Sequence, residues 1–167
     1  VYDDYTAFNS NKIPGMKSLF YYTVKKADLV IAAGTSLQEF LLPLNCSTVV
    51  IENAIDPEQF RPIPRQQARA PLTIPFDDTV LADVGSIEPN LCIEVLISAT
   101  KLLNQKISGL RLLIAGLNNR NLDLAAHDFI DYRGFQDQKI VPLLINSCNV
   151  AVIPYLPSKL KQLCNAC

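Results

Sequence analysis

Histidine occurs once in the 167 residues, at His127, and no apolar run approaches the length of a membrane helix. Each shortage removes a class of function. A Ser-His-Asp triad would have to be built on His127, and no G-x-S-x-G elbow accompanies it, so the common hydrolytic arrangement is set aside. The longest clean apolar stretch, Leu29 to Ala33, falls far short of the ~20 residues that span a bilayer. No basic segment leads into an apolar one, so no signal peptide is visible. Charge of one sign is also lacking: 15 basic and 16 acidic side chains give a net charge of −1, against a surface built to hold nucleic acid. Neither G-x-G-x-x-G nor G-x-x-x-x-G-K-[ST] occurs, which removes the usual nicotinamide and P-loop readings.

The cysteines are odd in number (Cys46, Cys92, Cys148, Cys164 and Cys167) and lack the spacing of a disulfide framework, which fits free thiols in a reducing compartment. Cys164 and Cys167 form a C-x-x-C, but no second ligand pair accompanies it, so no metal site is assigned. What is present is a globular balance, 49% apolar and 19% charged. The chain opens without methionine and stops at Cys167 without a polar tail, and the expectation is a piece of a longer protein.

Strand-like runs fall at Asp28 to Gly34, Thr48 to Asn53, Val80 to Gly85, Leu110 to Gly116, Phe129 to Gly134 and Asn149 to Pro154. Several are apolar on both faces, as parallel strands covered by helices are. Helical patterns alternate with them. The clearest is Leu91 to Gln105, where Ile93, Leu96, Ile97, Thr100 and Leu103 keep a 3-4 spacing; Met16 to Lys26, Ser36 to Leu44 and Gln136 to Cys148 follow, the last with Pro142 placed to kink it. This alternation predicts βαβ units, an α/β fold with parallel sheets flanked by helices. Five prolines between Pro57 and Pro75, with Arg61, Arg65 and Arg69 among them, predict a linker over 61–76 between two α/β units; the alternative is one long surface loop within a single sheet.

In an open α/β sheet, ligands lie outside the carboxyl ends of the strands, so Gly85, Gly116, Gly134 and Pro154-Tyr155 are expected on one edge. Gly85 ends a strand before the longest helix, a junction where a phosphate can approach backbone N–H groups. Each glycine alone is an ordinary turn residue; four turn sites on one rim make a pocket. Asp3 and Asp4 read as loop or cap residues, and Asp128 and Asp131 as solvated.

The order of the motifs carries more than any one of them. Tyr2-Asp3-Asp4-Tyr5 precedes a helix, and Lys26-Ala27-Asp28-Leu29-Val30-Ile31 leads to Gly34-Thr35-Ser36-Leu37. Asn53-Ala54-Ile55-Asp56 with Phe60-Arg61-Pro62 comes next, then Val84-Gly85-Ser86-Ile87, Leu112-Leu113-Ile114-Ala115-Gly116, Tyr132-Arg133-Gly134-Phe135 and Asn149-Val150-Ala151-Val152-Ile153-Pro154-Tyr155. Over essentially its whole length this resembles the GT-B glycosyltransferases of the retaining group 1 family, with Ala54 where that family's N-G-v-D motif has glycine.

The resemblance implies two Rossmann-like units, both incomplete: residues 1–60 as the end of the acceptor-side domain, 61–76 as linker, and 77–167 as a donor-binding domain cut at its C-terminus. It implies transfer of a sugar from a nucleoside-diphosphate sugar to an acceptor hydroxyl with retention and without a metal or other cofactor. The leaving diphosphate is then neutralised by a helix N-terminus and basic side chains. Carried onto this chain, Gly85 and Ser86 open the diphosphate loop, Gly134 and Phe135 lie near the base, and Pro154 and Tyr155 border the donor sugar and phosphate. The family's arginine and lysine in the diphosphate loop are replaced by Ser86 and by Leu91 or Cys92. Its acidic E-x7-E segment would begin beyond Cys167, with Lys159 to Gln162 as a solvated helix start before it, so no catalytic residue is assigned and the piece is expected to be inactive alone. The acceptor (a sugar, lipid or polysaccharide) is unspecified; a cytoplasmic location is expected, with peripheral contact at a membrane face where the acceptor is a lipid or polysaccharide. Two alternatives stay open, a nonenzymatic α/β binding module and a GT-B nucleotide-sugar epimerase.

Overall fold

The computed structural model describes residues 14–89 and 91–155. The expectations for Tyr2 to Tyr5, Lys159 to Gln162, Cys164 and Cys167 lie outside those residues. The chain divides into two compact units, with the boundary between Ile55 and Asp56.

In the first unit, helix α1 (Met16–Lys26) and helix α2 (Thr35–Leu41) cover one face of two parallel strands, β1 (Val30–Ala32) and β2 (Thr48–Val50). Val30 and Ala32 point inward with Val24, Leu37 and Leu41, while Ile31 between them is exposed, the alternation a strand imposes. The end of α1 is closed by Asn45, whose side-chain amide donates to the carbonyls of Val24 and Ala27 at 2.8 and 2.7 Å.

The second unit holds helix α3 (Arg65–Arg69), strand β3 (Thr79–Val84), helix α4 (Ile93–Asn104), strand β4 (Leu110–Ala115), strand β5 (Ile130–Gly134), helix α5 (Val141–Ser147) and strand β6 (Val150–Ala151). Its sheet is parallel throughout, in the order β5-β4-β3-β6. The chain therefore steps outward from β3 to β5 and then returns to the other side of β3, which makes the gap between β3 and β6 the topological switch point. Val80, Ala82, Leu113 and Leu144 form the core on one face of the sheet, and Leu112, Ile114, Ile93 and Leu96 on the other. α4 buries Ile93, Leu96 and Thr100, the predicted 3-4 stripe, although Leu103 at its end is exposed. α5 begins at Val141, so Pro142 sits in the first turn, where its missing N–H breaks no helical bond; the expected kink does not arise.

Residues 61–76, predicted to be a linker from their prolines and arginines, pack as part of the second unit. Pro64 introduces α3, a 3-10 turn spans Ala70–Leu72, and Arg69 is 2% exposed. Its Nε donates to the Ser147 carbonyl at 2.9 Å, its Nη1 to the carbonyls of Pro75, Phe76 and Asp78 at 3.0, 2.5 and 2.9 Å, and its Nη2 to Asn149 Oδ1 at 2.8 Å. The guanidinium fork is buried because it finds a carbonyl or amide oxygen along each edge, and burial, with Arg65 adding repulsion, lowers its pKa. In a sequence this looks like surface charge; in the fold it ties the entry of β3 to the end of α5 and the start of β6.

Candidate functional site at the sheet edge

Gly85, Gly116, Gly134 and Pro154-Tyr155 lie at or just after the carboxyl ends of parallel strands, β3, β4, β5 and β6 in turn, so they share one edge as the strand pattern predicts. The ends of β3, β4 and β5 are stitched together past the strands themselves. Gly85 N–H donates to Ala115 O at 2.8 Å, Ile87 N–H to Leu117 O at 2.8 Å, and Gly116 N–H to Gly134 O at 2.8 Å. A register shift between Ile114 and Ala115 pairs Ala115 with Gly134, leaving Arg133 as an extra residue that bends the end of β5.

The glycines differ in why they are glycine. Gly116 has φ +152, and a Cβ there would lie 2.0 Å from the Gly85 carbonyl oxygen, so the close approach of the β3 and β4 ends demands it. Gly134 has φ +62, the left-handed conformation of a turn. Gly85 is different: a Cβ would meet nothing within 4 Å. Nothing inside the described fold excludes a side chain at Gly85, and the space in front of it is open.

That space belongs to a cleft of about 200 Å³ lined by Gly85, Ser86, Gly116, Phe135, Gln136 and Val141, together with Val84 and Ala115. Gly85, Ser86 and Phe135 are thus brought together. Phe135 is 74% exposed, an aromatic face held at the mouth. Pro154 and Tyr155 are on the same edge but serve the other flank: Cys92 N–H, preceding α4, donates to Pro154 O at 2.7 Å, and Leu91 pairs with Tyr155 in an isolated antiparallel bridge. They border the β3–α4 loop without lining the cleft.

The β3–α4 loop carries no cation at Ser86 or Leu91, but a guanidinium reaches it from the loop after β4. Arg120 Nη1 donates to Leu91 O at 3.4 Å and pairs with Glu94 in the first turn of α4, holding the Glu94 carboxyl below its ordinary value through that hydrogen bond. Asn119 likewise donates to Glu88. His127 sits before the amino end of β5, across the sheet from the glycine rim, with its ring 5.4 Å from that of Phe129. Asp131, expected to be solvated, is half-buried on β5 and accepts two hydrogen bonds from Arg133. Among the described residues no group of three or more His, Cys, Asp or Glu is placed to hold a metal, and no helix is long and apolar enough to cross a membrane.

Sequence reasoning passed over Asp83. It is 2% exposed on β3, paired with Ile114 and so facing the α4 side among Leu112, Ile114 and Ile93. Its Oδ2 is buried without a hydrogen-bond partner among the described residues, and burial pushes its pKa up to about 6. Gln136 was passed over as well; its amide nitrogen donates to the carbonyls of Arg133 and Phe135 at 2.5 and 3.2 Å.

The doubly wound parallel sheet, with its glycine-lined cleft at the carboxyl edge, belongs to the GT-B fold seen in group 1 glycosyltransferases. It is similar to the D-inositol 3-phosphate glycosyltransferase of Saccharomonospora viridis, 41% identical over 70 residues that make up 40% of this chain and 16% of that protein. Among solved structures it is similar to sucrose-phosphate synthase from Thermosynechococcus elongatus, with a TM-score of 0.67 and 23% identity over 89% of this chain and 40% of that one. Anabaena HepE in complex with UDP superposes with a TM-score of 0.68 and 18% identity, over 90% of this chain and 44% of that one. The chain thus spans about one sixth of the length of the curated relative and less than half of these solved chains. No family model matches it.

Proposed function

We propose that the protein transfers a sugar from a nucleoside-diphosphate sugar to an acceptor hydroxyl with retention at the anomeric carbon. The observation that carries the reading is the cleft itself: Gly85, Ser86 and Phe135 converge on one space at the carboxyl edge of a GT-B sheet, although nothing in the packing of the described residues forbids a side chain at Gly85. HepE, of the same fold, is bound to UDP, which supports a nucleotide as the occupant. The diphosphate runs along Gly85 and Ser86 toward the N-terminus of α4, with Pro154 and Tyr155 on its far side toward the sugar. Among the described residues, those to Ile55 are assigned to the acceptor side and those from Asp56 to Tyr155 to the donor side.

The chemistry asked of this chain is charge stabilisation of a leaving diphosphate, without a metal. Backbone N–H groups of the β3–α4 loop and the partial positive charge at the start of α4 supply part of it. Incubating the protein with UDP- and GDP-sugars and a panel of hydroxyl acceptors, with the product anomer read by NMR, tests the reading. Retained configuration and rates unchanged by EDTA are expected; inverted product or a rate abolished by the chelator refutes it. The uncharged side chains at Ser86 and Leu91 favour, as a second reading, a nonenzymatic binding module. Calorimetric titration with UDP and GDP separates the two, since a module of that kind binds neither.

A further inference from the structure

Resting on the donor reading, we infer that residues 56–63, the first stretch of the second unit, form a strap pinned to α5, and that a nucleotide in the cleft tightens it. The segment has no helix or strand, yet it is fastened. Asp56 opens it with a turn, its Oδ1 accepting from Glu58 N–H at 2.9 Å and its carbonyl from Phe60 N–H at 2.8 Å. Beyond that turn Asn146 holds the backbone at two points: Oδ1 accepts from Ile63 N–H at 2.9 Å, and Nδ2 donates to Arg61 O at 3.2 Å. The same Nδ2 donates to Pro142 O, one turn back in α5, at 2.8 Å. Two carbonyls at one end and an N–H at the other fix which way the amide points. Exposure follows the anchoring: residues 51–58 are exposed, whereas Gln59, Phe60 and Ile63 are half-buried.

The anchors of the strap and one wall of the cleft lie on a single continuous piece of chain, residues 135–146. Phe135, Gln136 and Val141 line the cleft, while Gln138 and Asn146 bond to the strap. Gln138 contributes its carbonyl, which accepts from Gln59 Nε2 at 3.0 Å. The loop before α5 is braced within itself, Asp137 accepting from the N–H groups of Lys139 and Ile140 at 2.8 Å each, so it moves with the helix it leads into. Val141 and Asn146 are then about 7.5 Å apart along one helix. A ligand settled against Phe135, Gln136 and Val141 therefore restrains the piece that carries both anchors. The coupling is reciprocal: if a nucleotide makes the strap harder to open, opening the strap weakens the nucleotide by the same factor. Bonds this few and this near the surface place strap opening among local motions, well below global unfolding.

Amide hydrogen exchange, read by NMR with and without saturating UDP or GDP, tests this. The N–H groups of Phe60 and Ile63, bonded to Asp56 O and Asn146 Oδ1, report strap opening. Binding should slow their exchange about threefold or more, while Lys106 and Ile107 N–H, bonded to Leu103 O at the exposed end of α4, should keep their rates. In Asn146→Ala, exchange at Ile63 without nucleotide should rise about tenfold, the scale of a lost hydrogen bond. Calorimetric affinity of that variant for the nucleotide should fall by a factor approaching the one by which the nucleotide slows the wild-type strap. Gln59→Ala, which removes the outer anchor alone, should reproduce part of that fall. The wild-type arms stand whether or not a variant folds. Binding of UDP or GDP with unchanged exchange at Phe60 and Ile63, or with equal slowing at Lys106 and Ile107, overturns the strap and leaves the donor reading intact. So does a folded Asn146→Ala that exchanges faster at Ile63 and binds as the wild type does. Failure of both nucleotides to bind overturns the two together.

Discussion

Asp83 is the residue at which this fold is least comfortable. A carboxyl 2% exposed, facing Ile114 and Leu112, with one oxygen unpartnered among the described residues, stays protonated to higher pH than it does in the unfolded chain. Its folded pKa of about 6 lies above the ordinary carboxylate value, so the folded state binds the proton more tightly. Its ionisation therefore costs nothing at low pH, begins to oppose folding as pH rises past about 4, and does so fully above about 6. At most, a shift of this size is worth about 3 kcal/mol. Asp83→Asn should raise the melting temperature at pH 8, leave it nearly unchanged at pH 4, and flatten the pH profile between them; thermal melts across that range check this, and an equal shift at both pH values counts against it. Two glycines make a second residue-scale contrast. Gly116→Ala puts a Cβ 2.0 Å from the Gly85 carbonyl and should cost at least about 2 kcal/mol in denaturant titrations, along with nucleotide binding. Gly85→Ala meets open space, so stability should hold within about 0.5 kcal/mol while nucleotide binding weakens. The sequence shows that Gly85, Gly116 and Gly134 end strands; it does not show which is needed by the fold and which by a ligand, because that depends on a backbone oxygen from the neighbouring strand.

Among the elements, the βαβ pattern was legible because its signal is local. Runs such as Leu110 to Gly116 announce a strand buried on both faces, and the observed β4 differs from that reading by one residue. The prolines from Pro57 to Pro75 misled for the same reason. Locally they describe a stiff, polar connector, whereas Pro64 introduces a helix and Pro71 lies within a 3-10 turn, and Arg69 is drawn inside by oxygens from residues as distant in sequence as Ser147 and Asn149. No window over 61–76 contains those partners. The same oxygens set the prediction. Arg69→Met leaves several carbonyls without donors at the junction of α3, α5, β3 and β6, and should destabilise by about 3–5 kcal/mol. Lysine, a single ammonium without the guanidinium fork, cannot satisfy both edges at once, so Arg69→Lys should recover only part of the loss. Asn149 Oδ1 also accepts from Val80 N–H at 2.9 Å. The double variant of Arg69 and Asn149 should therefore fall short of the sum of the single losses by about 1 kcal/mol or more, measured by urea unfolding. Strict additivity would mean that the clamp is not a unit.

For the whole molecule, the division at Ile55–Asp56 bears on where the nucleotide is held. Every strand that contributes to the rim, β3 to β6, lies on the far side of that boundary, and so do all the residues of the cleft. The segment 51–56 that joins the units has no regular structure, and its residues are exposed, Ile51 by 58% and Ile55 by 69%. Exposed backbone outside helices and sheets is where proteases cut first. Mild proteolysis should cleave there before it cleaves within either unit, releasing a piece that begins near Pro57. If the donor cleft is self-contained, that piece should bind UDP with an affinity within about threefold of the uncut protein. UDP at a hundred times its dissociation constant should add about 2.7 kcal/mol to its stability and slow its further digestion. The piece ending near Ile55 should gain no protection. Loss of UDP binding on cleavage, in a fragment that still unfolds cooperatively, would show that the first unit supplies part of the nucleotide site, and the assignment of recognition to the carboxyl ends of β3, β4 and β5 would have to be withdrawn.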